Sequence, residues 1–170
     1  MRRTPTLIGA ALVAAATAAA IAVTSGNAQA PGERTVTFVE RSNDAGTVVA
    51  DVPPFMKSKH DAPGKGDTVL FPSTVLDSTG ATKLGTFVGR CTLLKATKHF
   101  VGSISICDGI YNLGTGTITA AAFLTFNNKP ITFAVTGGTG AYEGARGSGT
   151  TTDRPGNNNP LSDTVIHLLP

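Results

Sequence analysis

Two cysteines, three histidines and one glycine-crowded run are the parts of this sequence whose residue types and spacing admit chemistry. Cys91 and Cys107 offer either a structural cross-link or a nucleophilic thiol. The apolar and β-branched runs Leu84 to Lys95 and Phe100 to Leu113 flank Ala96 to His99, and a hairpin turning there sets residue 91 opposite residue 107. That placement predicts one disulfide; a nucleophile would need a free thiol beside a base, and no spacing supplies one. His60, His99 and His167 are scattered without ligand spacing, so no metal site is expected.

The run TGGTGAYEGARG, Thr136 to Gly147, opens like a phosphate-cradling turn. A dinucleotide fingerprint requires G-x-G-x-x-G leading into a helix N-terminus. Here Glu143 takes the third glycine's place, and the Gly, Ser and Thr that follow are poor helix formers. The run instead predicts a tight corner between two strands. Tyr111 and Tyr142 read as core or rim aromatics rather than catalytic acids.

The elements that must position these residues are strands. Apolar and β-branched runs recur at Thr35 to Arg41, Thr68 to Asp77, Leu84 to Lys95, Phe100 to Leu113, Thr115 to Phe126, Lys129 to Thr136, Gly144 to Asp153 and Asp163 to Leu169. Clusters such as Asp77-Ser78-Thr79-Gly80 and Asn127-Asn128 separate them, and no window sustains a 3.6-residue apolar repeat. Eight strands without a helix predict an antiparallel up-and-down barrel or a sandwich. Ala50 to Gly66, with Pro53, Pro54 and Pro63, reads as a long loop whose Phe55-Met56 pair either closes over a barrel mouth or pads the surface. Arg154 to Pro160 reads as a surface connection.

Met1 to Ala30 carries Arg2 and Arg3, an apolar run of 17 residues from Leu7 to Val23 and the small-x-small site Ala28-Gln29-Ala30. This is the layout of a secretory signal peptide. Residues 31–170 then form one domain with room for a single core, secreted and without a membrane span after cleavage. The formal net charge of +3 falls to about +1 without Arg2 and Arg3. With no basic run and no Trp, a nucleic-acid partner is not expected. An even cysteine count in an oxidising compartment supports the disulfide.

The runs GDTVLFPSTVLD (Gly66 to Asp77), LGTFVGRCTLL (Leu84 to Leu94), GTITAAAFLTF (Gly116 to Phe126), ITFAVTGGTGAYEGARG (Ile131 to Gly147) and DTVIHL (Asp163 to Leu168) together resemble the allene oxide cyclase and dirigent superfamily. The resemblance spans nearly all of residues 31–170, and the glycine turn is its most specific piece. It implies an eight-stranded antiparallel up-and-down β-barrel, commonly trimeric. The apolar interior of such a barrel receives a small hydrophobic molecule and needs neither a metal nor an organic cofactor.

Carried over residue by residue, the resemblance implies a first-strand carboxylate at Glu40. In an apolar cavity this carboxylate would act as a general acid or stabilise developing positive charge; the alternative is a rim salt bridge with an arginine. Ser42 and Ser73 stand where the cyclases carry asparagines, and Cys91 matches a cavity cysteine. Arg146 and Asp163 match the dirigent pattern as ligand contacts, and for Arg146 bracing the glycine corner is the favoured reading over ligand contact. Three functions remain open on these residues: a cofactor-independent cyclase or isomerase, a non-catalytic dirigent-like binding protein, and a structural extracellular protein with a filled interior.

Overall fold

The computed structural model describes residues 32–56, 62–98, 101–127, 129–156 and 160–170. The expected leader, Met1 to Ala30, lies outside the described residues, as do His60 and His99. All nine strands belong to one antiparallel sheet. They are β1 (Arg34–Ser42), β2 (Val48–Ala50), β3 (Thr68–Leu76), β4 (Lys83–Lys95), β5 (Ile104–Asn112), β6 (Gly116–Thr125), β7 (Ile131–Gly140), β8 (Gly147–Asp153) and β9 (Leu161–Leu168). No helix among the described residues is long and apolar enough to cross a membrane.

The sheet closes because β1 has two neighbours. It pairs with β9 from Arg34 against Leu168 to Arg41 against Leu161. Its second half also pairs with β3, from Val39 against Leu76 to Ser42 against Ser73. After a single 3-10 turn at Asp44–Gly46, β2 continues along the first half of β3, so β1 and β2 act as one interrupted strand. The result is the expected closed eight-stranded antiparallel barrel. β2 itself falls at the edge of the expected loop; a run of only three strand residues beside Pro53-Pro54 carries no periodicity to detect.

Side-chain alternation divides each strand into an outward and an inward face. On β5 the pattern is strict, with Ser105, Cys107, Gly109 and Tyr111 inward. The inward residues fill one half of the barrel only. Phe38, Leu113, Ile118, Val135, Ile166 and Leu168 pack together at one end, and Tyr142 joins them as a plug. The glycine run explains the plug: its first glycines extend β7 to Gly140 rather than turning after Thr136. The turn itself, Ala141 to Gly144, is where Tyr142 swings in. A Cβ at Gly138 would lie 2.3 Å from the Tyr142 carbonyl oxygen, and Gly140 has φ of 61°, so this corner admits no side chain at the first position and strains any at the second.

Asp67 organises the loop between β2 and β3. Its two carboxylate oxygens accept hydrogen bonds from the Val52 amide at 2.9 Å and the Gly64 amide at 2.6 Å. Phe55 is exposed and is not part of the barrel's cavity lining, so of the two roles expected for it the padding one matches its position.

Cys91 and Cys107 are direct register partners in the β4–β5 hairpin and form a disulfide, with Cα atoms 4.1 Å apart. The register runs unbroken from Thr86 against Asn112 to Leu93 against Ser105, then slips by one residue before Lys95. Gly102 turns with φ of 85° and the Ser103 hydroxyl caps the Thr97 amide at 2.9 Å, so β5 begins at Ile104 rather than Phe100. The cross-link closes a separation of 16 residues. We expect its reduction to lower the unfolding free energy by about 3 kcal/mol, read as a shifted urea midpoint with and without reductant; an unchanged midpoint, or two alkylatable thiols in the untreated protein, would contradict it.

Candidate functional site

The half of the barrel opposite the plug is hollow, because its inward positions are small. Gly89 and Gly109 face each other across β4 and β5, Ala120 and Ala122 line β6, and Gly149 lies on β8. Aromatic rings occupy the space these residues leave: a Cβ at Gly109 would come within 2.5 Å of the Phe87 ring, and one at Gly149 within 2.2 Å of Phe133. What remains is a cavity of about 220 Å³. Its mouth lies where β1, β6 and β8 end and β7 and β9 begin, at Ser42, Leu124, Asp153, Ile131 and Ser162.

Glu40 reaches this cavity from β1. It is 8% exposed, and its Oε1 accepts hydrogen bonds from the Thr164 hydroxyl at 2.6 Å and the Tyr111 hydroxyl at 3.0 Å. Since Thr164 donates to Glu40, its oxygen is left to accept from Thr151, 2.9 Å away. Hydroxyls from β5, β8 and β9 thus converge on one carboxyl. Burial pushes the Glu40 carboxyl above its ordinary value of 4.5; the Thr164 and Tyr111 hydrogen bonds oppose this and the Asp153 charge adds to it. Tyr111 is likewise held far above the usual phenol range by burial and by Glu40 beside it. No ion pair of Glu40 exists among the described residues, so the rim salt bridge considered above does not form.

Tyr111 is both core and site. Its ring packs against Phe87 at 4.4 Å, Phe38 at 5.1 Å and Phe133 at 6.2 Å between centroids, while its hydroxyl meets Glu40. A core tyrosine was expected here, but not the carboxyl partner. The available signal was parity: residues 107, 109 and 111 share a strand face, so whatever the disulfide lines, Tyr111 lines too.

Ser42 and Ser73 are register partners at the cavity edge and both line it. The disulfide forms part of the same wall. The two dirigent-pattern residues are placed elsewhere. Arg146 lies at the plugged end, where its guanidinium donates to the Pro170 carbonyl and its own carbonyl accepts from Leu169, so it braces the corner and the C-terminal segment. Asp163 points outward and is gripped by Arg154, whose Nε donates to both carboxylate oxygens at 3.1 Å and whose Nη2 donates at 2.7 Å. This partner holds the Asp163 carboxyl below its usual range. Neither residue lines the cavity: Arg146 lies at the opposite end of the barrel, and odd-numbered positions of β9 such as Asp163 face out. Among the described residues no group of three or more His, Cys, Asp or Glu side chains is arranged to hold a metal ion.

A closed antiparallel barrel, plugged at one end and hollow at the other with a buried carboxyl in the hollow, defines the class of up-and-down β-barrels with an interior cavity. A family model described as the allene oxide cyclase barrel like domain matches residues 56–165, and the chain belongs to that family. The matched stretch starts after β1, so Glu40 lies outside it. No curated protein matches the chain. Among solved structures it is similar to a pyocyanin demethylase, with 23% identity over 79% of this chain and 99% of the other at a TM-score of 0.63. A pterocarpan synthase dirigent protein shares 15% identity over 81% and 94% of the two chains at 0.60. A Diels Alderase from Streptomyces koyangensis shares 15% over 86% and 72% at 0.55. At these identities the likeness is one of fold.

The pH dependence of stability follows from the raised Glu40. A carboxyl whose folded value lies above its unfolded one contributes stability that is complete below the ordinary value and is lost as pH rises through the folded value. Melting temperatures of wild type and Glu40→Gln should therefore keep a constant difference below pH 4.5 and move in favour of the variant as pH rises above it. Tyr111→Phe, which keeps the ring but removes one hydroxyl donor, should cost about 1 kcal/mol and raise the Glu40 value further. A pH-independent difference between Glu40→Gln and wild type would show that the carboxyl is not desolvated.

Proposed function

We propose that this chain is a secreted barrel that binds a small hydrophobic molecule in its open half and guides the molecule's cyclisation or isomerisation without a cofactor. The observation that carries this reading is Glu40, a carboxyl without an ion-pair partner among the described residues, desolvated beside an aromatic wall and oriented by Tyr111 and Thr164. In its protonated form Glu40 donates to an oxygen or nitrogen of the ligand. The carboxylate left behind is held by two hydroxyls and faces the positive charge that develops as bonds rearrange. The proton returns when that charge is quenched, so the sequence needs no outside oxidant or reductant. Cyclases and a dirigent protein among the fold's neighbours support this direction. Ser42 and Ser73 at the edge supply hydrogen bonds to the ligand's polar end.

Secretion is supported by the Met1 to Ala30 leader and by the disulfide, which persists in oxidising compartments. Assembly into trimers is supported by the outer face of β4, β5 and β6. There Val88, Ile106, Ile110 and Phe123 are all more than half exposed and surround the Arg90–Asp108 ion pair, an apolar patch that a monomer would leave to water.

Native mass spectrometry of the purified protein incubated with an extracellular extract should show retention of a small apolar ligand, and Glu40→Gln should keep retention of that ligand but lose its conversion. Equal conversion by both proteins would remove Glu40 from the chemistry and favour a binding protein. Sedimentation equilibrium should report three times the mass of residues 31–170, and Phe123→Glu should shift it to the monomer; a monomeric wild type at micromolar concentration contradicts the assembly.

A further inference from the structure

The charge of the cavity lining is one-sided. Glu40 sits within it and Asp153 at its mouth, with Asp153 accepting from the Ser162 hydroxyl at 2.7 Å. Among the described lining residues there is no Lys, Arg or His. Of the arginines next to lining residues along the chain, Arg41 is exposed on the alternate parity of β1 to Glu40, Arg154 is bound to Asp163 and Arg90 to Asp108. Asp108 adjoins the cavity, but its carboxylate is bound outside the barrel by Arg90.

The apolar part of the lining is largely aromatic. Phe71, Phe87, Tyr111 and Phe133 form a continuous aromatic wall, with successive centroids 6.0, 4.4 and 6.2 Å apart. Ring faces present negative potential, and several rings around one space attract a cation more strongly where water is excluded. A ligand carboxylate would meet two protein carboxyls and, among the described lining residues, no cation, and would lose its hydration without replacement.

Resting on the reading of this cavity as the ligand site, we infer that it selects a flat aromatic or heteroaromatic molecule that carries or develops positive charge, and that it excludes carboxylate-bearing ligands such as fatty-acid derivatives. The cavity's aromatic wall receives the ligand's ring system, and Asp153 at the mouth supplies the charge that sets the preference.

Three bicyclic probes of nearly equal shape test this: N-methylquinolinium, 1-methylnaphthalene and 1-naphthoate, which are cationic, neutral and anionic. Affinities are measured by calorimetry on wild type, Asp153→Asn and the cavity-filling Ala122→Phe. We expect the cation to bind at least about tenfold more tightly than the neutral probe, the anion to bind most weakly, Asp153→Asn to reduce the cation's advantage without affecting the neutral probe, and Ala122→Phe to abolish binding. If all three probes bind alike and Ala122→Phe displaces them, the charge selection is wrong while the ligand site stands. Tighter binding of the anion overturns the inference in the same way. If no probe binds, or if Ala122→Phe leaves binding intact, the cavity is not the ligand site and both readings fall.

Discussion

Closure of the sheet depends on β1 bonding to two strands at once, and every other property of the molecule follows from that closure. Only four residue pairs, Val39 to Ser42 against Leu76 to Ser73, join β1 to β3. They cover the β1 and β3 edges that an open sheet would leave exposed along this seam, while the short β2 keeps β3 as its one strand neighbour among the described residues, and they turn one face of the strands inward. Glu40 sits in the middle of this seam, opposite both Ser162 and Val75. The carboxyl is therefore held by the backbone pairing that makes the barrel a barrel, which is a stiffer mounting than a loop would give.

The division between filled and hollow halves is a matter of side-chain volume along a common set of strands. On β6, Ile118 belongs to the plugged half while Ala120 and Ala122 border the hollow. On β5 the change falls between Tyr111 and Gly109. Tyr111 stands at this boundary, which is why one residue can be packed by three aromatic rings and still present a hydroxyl to the cavity's carboxyl. The plugged half provides the burial that stabilises the fold, and so the other half can remain open without the barrel collapsing.

Much of the architecture was readable from the residues. Strand number followed from β-branched runs punctuated by turn residues, and the disulfide followed from the placement of Cys91 and Cys107 about one hairpin turn. The register there held even though the turn proved longer than expected, since the slip at Lys95 lies beyond the cysteines. Gly137 to Gly140 misled, because glycine signals a turn by its freedom but here serves a strand by its lack of bulk. The cavity's hydroxyls were unreadable for another reason. Thr151 and Thr164 are register partners of one hairpin, but Tyr111 lies 71 residues from Glu40 and Thr164 lies 124, and only the closed sheet brings them to the carboxyl. Asp163 and Asp153 show the same limit: both are strand-end aspartates, and a one-residue difference in parity places one against Arg154 outside and the other at the mouth.

The pairing of Arg34 with Leu168 puts both ends of the barrel's chain at the plugged end, beside the Arg146 brace. Any polypeptide running on before β1 or after β9 departs from the side opposite the opening. A tether to a surface, a carrier domain or an affinity handle joined at either end would thus present the mouth outward to the medium, so immobilisation through a terminus leaves access to the interior unobstructed.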